Sequence, residues 1–409
     1  MRFLRSPAVG FYVSKVVPAA IAFVMVPVWL RLFGATGFAQ YAAWLVAVQI
    51  ASSLSGKWIQ QGELRYSGID SQSILAVQGA RLISVVLALA AVGASVVAAS
   101  AVILPSPTFS TVVFGALTAA VLGVYTTLQA VFQRRLDVNW YAAAETSRAL
   151  ILAFSSVGLW SSGVGAVNAL ILANLISYSL GAVILALKAR SMVDRQSTSR
   201  SPVVRSFFSF GWPLSIWAAL AVGVSSSDRL LGASLLTPVE LADYSWVSDF
   251  SVRTFTLLVF PITLYIHPVM MAAHNSSSVG ARRLYNKAMC MLGLAVVVLT
   301  VAGGSILQVV AKPLFGNEGP GLAVVIILFL SAGLWQLAQI SHKLLEIQGR
   351  TLLMLALVAI SLAVSVAFQV ILSGQLGAMG LALGLLLGPV VYCFSTWCIG
   401  TRLMKDEHR

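Results

Sequence analysis

Long apolar runs are the feature that most constrains this chain. Runs of about 20 residues, the length of a helix that crosses a bilayer, recur along its whole length. Of the 409 residues, 59% are hydrophobic and only 10% are charged, against roughly 25% charged in soluble domains. A transmembrane β-barrel would give short alternating segments instead. The sequence therefore predicts an all-α, polytopic membrane protein.

Twelve helices fit these runs. Their expected bounds are 8–32, 38–55, 77–104, 109–132, 139–160, 164–187, 207–231, 241–271, 284–311, 321–345, 352–373 and 377–401. The one long polar connection, Lys188–Arg205, is rich in Ser and Arg. It predicts an N-terminal six-helix lobe at 1–187, a cytoplasmic linker at 188–206 and a C-terminal six-helix lobe at 207–409.

A short motif occurs in both lobes. Arg31–Tyr41 reads RLFGATGFAQY, and Arg229–Tyr244 reads RLLGASLLTPVELADY. Later in each lobe a Gly-Ala pair opens an apolar run, at Gly165-Ala166 and at Gly377-Ala378. Matches in the same order indicate an internal repeat. Six helices return the chain to its starting side, so the two halves are parallel repeats.

The basic residues indicate the orientation. Most of the 26 Lys and Arg residues fall in connections that share one side of the membrane, and the other side receives Arg31, Arg229 and Lys312. The positive-inside rule then places both termini in the cytoplasm. The same distribution accounts for the net charge of +13 without a nucleic-acid partner.

Three cations lie inside the apolar runs: Lys15, Arg148 and Arg253. A charge at the bilayer centre costs at least ~2.5–3.5 kcal/mol, so such residues face a partner or a cavity. Glu145 precedes Arg148 by three residues and Asp249 precedes Arg253 by four, which places each pair on one helix face. Lys15 has no acid at helical spacing. It needs a partner from another helix, water or a ligand anion.

These charges support two interpretations. If the halves face each other, Lys15, Arg148 and Arg253 line one central cavity that suits phosphate or pyrophosphate. Alternatively, the two pairs neutralise themselves internally, and Lys15 extends to the cytoplasmic headgroups. Glu145 and Asp249 are also candidates for proton or sodium coupling, since an intramembrane carboxylate can titrate when its surroundings change.

Two further charged pairs lie near helix ends. Asp228 and Arg229 end the seventh expected helix, as an interfacial pair or as an outer gate. Glu63 and Arg65 follow the second expected helix, as a cytoplasmic turn or as part of an inner gate. Gates of this kind would open and close the path of a transported molecule.

Three glycines are spaced four residues apart in the last expected helix, at Gly380, Gly384 and Gly388. At this spacing they share one face of the helix. They predict a smooth strip against which another helix packs closely.

The sequence carries no sign of an enzyme or a cofactor. It has no G-x-x-x-x-G-K-[ST] phosphate loop and no H-E-x-x-H zinc motif. The three cysteines, Cys290, Cys393 and Cys398, lack metal-type spacing. The outer connections, such as Pro105–Ser110, are too short to carry a catalytic domain. We therefore expect no cofactor, no metal and no enzymatic activity.

In these features the chain resembles the polysaccharide flippases. These are the Wzx-type O-antigen and exopolysaccharide translocases of the multidrug/oligosaccharidyl-lipid/polysaccharide (MOP) superfamily. The resemblance rests on the two parallel six-helix halves and on DRLLG followed by A-D-Y around helices 7 and 8. It also rests on G-A-x-G-x-A at Gly377–Ala382 and on Gly165-Ala166.

The resemblance implies a V-shaped pair of lobes that alternate between inward- and outward-open states in a bacterial inner membrane. It implies a polyprenyl-pyrophosphate-linked oligosaccharide as cargo, moved from the cytoplasmic to the outer leaflet. It also implies contact with the polysaccharide polymerase and chain-length machinery. Lys15, Arg148 and Arg253 match the cationic cavity of such flippases by position and charge.

Two rival functions stay open. One is a multidrug exporter of the same superfamily, which would be expected to show unpaired acids in its cavity. The other is a membrane polymerase or ligase that acts on the same lipid-linked sugars. That class usually carries a large outer loop with catalytic residues, and the short outer connections disfavour it.

Overall fold

A computed structural model describes residues 7–66, 79–102, 104, 108–135, 137–190, 203–276, 278–315 and 320–406. Within these residues the secondary structure is entirely helical. The helices, labelled in chain order, are α1 Pro7–Tyr66, α2 Gly79–Ser100, α3 Phe109–Arg134, α4 Val138–Ser161, α5 Ala166–Arg190, α6 Val203–Leu235, α7 Pro238–Ser276, α8 Ser278–Phe315, α9 Leu322–Ser341, α10 Lys343–Ile347, α11 Thr351–Leu376 and α12 Ala378–Asp406.

The apolar character of these helices defines a multi-pass membrane protein. Eight of the described helices are long and apolar enough to cross a bilayer, and the stretch Ala90–Ser100 is a shorter apolar helix. The outward surfaces of the described helices carry large apolar side chains such as Phe154, Val309 and Phe394. A soluble protein rarely exposes so much apolar surface.

Each predicted run corresponds to a helical stretch, with one merger. The first two runs form a single element, α1, in which only Gly34 has a non-helical backbone, at φ 72° and ψ 160°. This conformation is open to glycine because it has no Cβ. One residue therefore joins the first two runs where the sequence predicted a short loop.

The two copies of the repeated motif pack together. Ala39 from the first copy and Leu241 and Ala242 from the second form one buried cluster. The motif glycines have different roles. Gly34 allows the positive φ of the bend. Gly232 has a helical backbone, and a Cβ at this position would lie only 2.9 Å from the Leu241 side chain, so the absence of a side chain permits the close contact. One sequence pattern thus serves a backbone bend in one copy and close packing in the other.

Contacts between helices divide the chain into two compact units. The first takes the described residues up to Met25 and from Gln40 to Ala219, and the second takes Val26–Ala39 and the chain from Leu220 onward. Each unit thus contains part of α1 and part of α6. Residues 191–202, most of the predicted linker, lie outside the described residues, so the predicted lobe boundaries stay a prediction.

The glycine strip of α12 packs against α11, which confirms the prediction of close helix approach. A Cβ at Gly380 would overlap the Leu372 carbonyl, and one at Gly384 would overlap the Gln369 backbone. Ser365 donates a hydrogen bond from its hydroxyl to the Gly384 carbonyl across this contact, at 3.0 Å. The two helices can approach this closely only because α12 presents no side chain there.

Candidate functional site

Two pairs of embedded charges lie on long helices that are less apolar than most of the others. Among the described helices, α4 and α7 are not among the eight that are apolar enough to cross a bilayer alone. They carry Glu145 with Arg148 and Asp249 with Arg253, respectively. Charged side chains in a membrane segment need a protein or water environment, so these helices mark where such an environment lies.

In the first unit one carboxylate bridges two cations. Glu145 Oε1 lies 3.2 Å from Lys15 Nζ, and Glu145 Oε2 lies 3.3 Å from Arg148 Nη2. The Gln129 amide also donates to Glu145 Oε1, and to Tyr125 Oη at 3.0 Å. The Glu145 side chain is only 8% exposed, so these partners replace the water that a buried carboxylate loses.

Aromatic rings position the two cations of this cluster. The Lys15 ammonium lies 4.9 Å from the centre of the Tyr141 ring, and the Arg148 guanidinium lies 5.0 Å from that of Tyr178. Both distances are typical of cation–π contacts. Tyr141 and Tyr178 are themselves packed in the apolar core that α3, α4 and α5 share, so that core fixes the cations.

The first cluster has excess positive charge. Lys57 of α1 is close enough to Lys15 for the two ammonium groups to repel each other. Lys15 and Arg148 share the one negative charge of Glu145, so the cluster keeps a net positive charge. The Lys15 side chain is 33% exposed and that of Arg148 is 17% exposed. An anion can therefore reach the cluster and would be attracted to it.

The second unit repeats the arrangement with other helices. Asp249 of α7 lies between Arg253, whose Nε is 2.5 Å from Asp249 Oδ2, and Arg229 of α6, whose Nη1 is 3.4 Å from Asp249 Oδ1. The contact to Arg253 spans one helical turn, as predicted, and the contact to Arg229 crosses between helices. Each unit therefore holds one carboxylate between two cations.

Asp228 stands apart from these clusters. Its side chain is completely buried, and its Oδ2 accepts a hydrogen bond from the Ser248 hydroxyl at 2.8 Å. Its Oδ1 has no hydrogen-bond partner within the described structure. Asp228 and Arg229 were expected as an interfacial pair or a gate. Both residues are buried, and each takes a side-chain partner from α7; the interfacial and gating roles stay predictions.

The other predicted residues fall as follows. The ion pairs Glu145–Arg148 and Asp249–Arg253 are present, and Lys15 takes its partner from another helix. Glu63 and Arg65 do not form a turn, because α1 continues through Tyr66 with Glu63 fully buried; the Arg65 side chain lies outside the described residues. A common cavity for Lys15, Arg148 and Arg253, the gating roles and the coupling roles of Glu145 and Asp249 stay predictions.

Several site residues were not anticipated from the sequence. Gln129 donates a hydrogen bond to the buried carboxylate of Glu145, and Ser248 donates one to that of Asp228. Tyr141 and Tyr178 lie against the cations Lys15 and Arg148. Lys57 lies within α1, just beyond the expected helix 38–55. The sequence did offer one signal for Gln129. A glutamine inside an apolar run needs a hydrogen-bond partner there, and a neighbouring helix can supply it.

Comparison with sequence families leaves the chain unassigned: neither a family model nor a curated protein matches it. Within the parts of the chain that the structure describes, no group of three or more His, Cys, Asp or Glu side chains could hold a metal ion.

Comparison with solved structures defines the fold class. The chain matches the outward-facing conformation of a multidrug resistance MATE family transporter of the MOP superfamily, with a TM-score of 0.64, 13% identity and coverage of 99% and 98% of the two chains. It matches an inward-facing conformation from the same family with a TM-score of 0.62, 14% identity and coverage of 99% and 95%.

A third match is a mutant of the Vibrio cholerae MATE transporter VcmN, with a TM-score of 0.62, 12% identity and coverage of 99% of both chains. The protein is thus an all-α, multi-pass membrane protein with the fold of the MATE transporters, over nearly the full length of both chains.

Proposed function

We propose that the protein is a flippase. It moves a polyprenyl-pyrophosphate-linked oligosaccharide from the cytoplasmic to the outer leaflet by alternating access, for polysaccharide biosynthesis. The observation that carries the proposal is the pair of cations Lys15 and Arg148 around Glu145, an accessible positive site inside a membrane helix bundle.

The chemistry of this cluster suits a phosphate group. An ammonium and a guanidinium both form strong charge-assisted hydrogen bonds to phosphate oxygens. Arg148 Nε is buried without a hydrogen-bond partner in the described structure, which leaves it a donor for a ligand oxygen. Lys15, the more exposed of the two cations that contact Glu145, is the first contact that an entering anion would meet.

The fold supports the transport step. The chain shares its fold with transporters solved in outward- and inward-facing conformations. Such a pair of states would carry a headgroup across the bilayer while the lipid chain stays in the hydrocarbon. We further propose that the protein is a transporter rather than an enzyme. It would reside in a bacterial inner membrane with both termini in the cytoplasm. It would work beside the polysaccharide polymerase and chain-length machinery.

The test is a flipping assay in proteoliposomes that contain a labelled polyprenyl-pyrophosphate oligosaccharide. A membrane-impermeant glycosidase outside the vesicles reports the exposed headgroup. The protein should accelerate exposure, and Lys15→Gln should reduce the rate at least tenfold. Lys343→Gln is the matched control, because Lys343 also pairs with a glutamate, Glu346, at 2.5 Å but lies outside the cluster. Equal rates for wild type, Lys15→Gln and empty vesicles would refute the proposal.

A second candidate is an ion-coupled exporter of cationic compounds. The observation that favours it is Asp228, a buried acid that has no basic group within ion-pair distance in the described residues. Uptake of a fluorescent cationic dye by the same proteoliposomes distinguishes the two functions. Dye transport that depends on Asp228 and is indifferent to Lys15→Gln would support the exporter.

A further inference from the structure

The second unit carries an open groove on its surface, between α8, α9 and α12. The groove has a volume of about 590 Å³, within the roughly 300–1,000 Å³ of small-molecule sites. Its mostly apolar walls include Met289 and Cys290 of α8, Leu334 of α9, and Phe394 and Trp397 of α12. Phe394 is 63% exposed and Trp397 is 43% exposed. A contiguous apolar surface of this kind marks a place that another molecule covers.

The groove has a polar end at the start of α8. Asn286 is exposed and lines the groove there. Arg282 and Arg283 come four and three residues earlier, so helical spacing places them on the same face as Asn286. The apolar span of α8 begins at Arg282. The two arginines therefore stand at the level of lipid headgroups, and the groove leads from them toward the hydrocarbon.

These two arginines have no acidic partner among the described residues. Neither guanidinium takes part in the ion pairs found there. Arg283 is exposed, and Arg282 is partly buried. A guanidinium binds phosphate oxygens through parallel, charge-assisted hydrogen bonds. The pair can therefore attract and hold an anionic group at the polar end of the groove.

The distribution of charge selects among possible occupants. An apolar helix from a second copy of the chain would cover Phe394 and Trp397 but would bring no anion to the arginines. A lipid without net charge would fill the groove and leave both cations unmatched. A molecule with an apolar chain and an anionic group at one end matches the whole surface. Trp397 also suits such an occupant, because tryptophan is enriched where headgroups meet hydrocarbon.

We propose that this groove is a binding site for an anionic phospholipid. One acyl chain lies against Met289, Cys290 and Phe394, and the headgroup phosphate contacts Arg282 and Arg283. Basic pockets between transmembrane helices bind anionic headgroups in this way. The bound lipid would link α8 to α12 within the second unit. The site shares no residue with the cluster around Glu145, so it stands independently of the proposed flippase activity.

The test uses the full-length protein in a neutral detergent, with Cys290 as the reporter. Cys290 is an exposed free thiol in the groove, so a bound chain should slow its reaction with a bulky maleimide. Mass spectrometry of the labelled peptide identifies the thiol that reacted. We expect phosphatidylglycerol to slow the labelling about fivefold, because its headgroup carries the charge that the arginines bind. Phosphatidylcholine with the same acyl chains should have little effect, because its headgroup has no net charge.

Variants locate the effect. Arg282→Gln/Arg283→Gln should lose the protection of Cys290 by phosphatidylglycerol. Arg350→Gln is the matched control, because Arg350 is also exposed but does not line the groove, and it should keep the protection. If the double variant does not fold, Arg282→Gln and Arg283→Gln are tested singly. Each should then weaken the protection about threefold, since one of two phosphate contacts is lost.

Several results would overturn the proposal. They are no protection by either lipid, equal protection by both lipids, or protection that the double variant retains. Protection accompanied by two chains per detergent particle in light scattering would assign the groove to a second copy instead. A polyprenyl phosphate that protects at lower concentrations than phosphatidylglycerol would assign it to a carrier lipid. Because no flipping is measured, a failure here is separate from a failure of the flipping assay.

Discussion

Lys15 and Glu145 are 130 positions apart in the sequence, and their charged atoms lie 3.2 Å apart. The pair connects α1 to α4 within the first unit. Lys15 is thereby held near Arg148, which Glu145 also contacts. The carboxylate thus fixes the position of both cations, and the site would lose its geometry without it.

The first prediction concerns that carboxylate. In Glu145→Gln two cations lose their counter-ion in a partly buried site, so we expect a loss of about 3 kcal/mol of stability, the lower end for a broken buried pair. The measurement is the free energy of unfolding in mixed micelles titrated with a denaturing detergent. Glu346→Gln is the control: Glu346 pairs with Lys343 but its side chain is 35% exposed, so its loss should cost 1 kcal/mol or less. Similar losses in the two variants would refute the prediction.

The second prediction concerns the contact between α11 and α12. Gly384→Ala places a methyl group against the Gln369 backbone, which can yield only if the helices separate. Overpacking of this kind costs roughly 1–3 kcal/mol. Gly374→Ala, in α11, has nothing within 4 Å of the new methyl group and should be neutral or slightly stabilising. The Tm values of the two variants in detergent test this; a Gly384→Ala protein as stable as wild type would contradict the packing.

The third prediction concerns the bend in α1. Gly34 has φ 72° and ψ 160° with open space around it, so Gly34→Ala creates no collision but forces a strained backbone, at a cost of about 1–3 kcal/mol. Gly158→Ala, also in open space but with no positive φ, is the control and should not lose stability. Tm measurements on the pair isolate the backbone effect. Equal Tm values for both variants would show that the bend carries no strain.

The fourth prediction concerns the start of α7. Glu240 accepts hydrogen bonds from the Thr237 amide and hydroxyl, and Thr237 accepts one from the Glu240 amide, which is a capping box. These bonds from Thr237 lower the pKa of Glu240 below its ordinary value.

Because the pKa of Glu240 is lower in the folded state, the charged carboxylate stabilises the helix at pH values above the ordinary pKa of a glutamate. This stabilisation is lost as the pH falls through the lowered pKa. Glu240→Gln mimics the protonated side chain. Its Tm should lie below that of wild type at neutral pH and converge with it at acidic pH. A Tm difference that persists unchanged at acidic pH would exclude the effect.

The sequence predicted the local part of the site correctly. Glu145 with Arg148, and Asp249 with Arg253, are three and four residues apart, and helical geometry alone brings them together. The glycines of α12 were predicted for the same reason, since their spacing places them on one face. The expected turn at Glu63 was wrong because the helix continues through Gly62, where the missing side chain leaves room for the Phe207 ring.

The partners from other helices were beyond the sequence. Nothing in the local pattern indicates that Lys15 meets Glu145, that Arg229 meets Asp249 rather than Asp228, or that Ser248 donates to Asp228. Each of these contacts depends on which helix faces are adjacent, and that choice is made by the packing of many apolar side chains at once.

The sequence by itself determined that this protein is a bundle of membrane-spanning helices, because its apolar runs have no stable place in water and their length matches a bilayer. It also determined which residues carry charge inside that bundle. Only the tertiary structure decided which of those charges are paired and left Asp228 without a basic partner within ion-pair distance in the described residues. The physical reason is that a hydrogen bond or ion pair between helices requires atoms within a few ångströms, and distances that small are set by three-dimensional packing rather than by position along the chain.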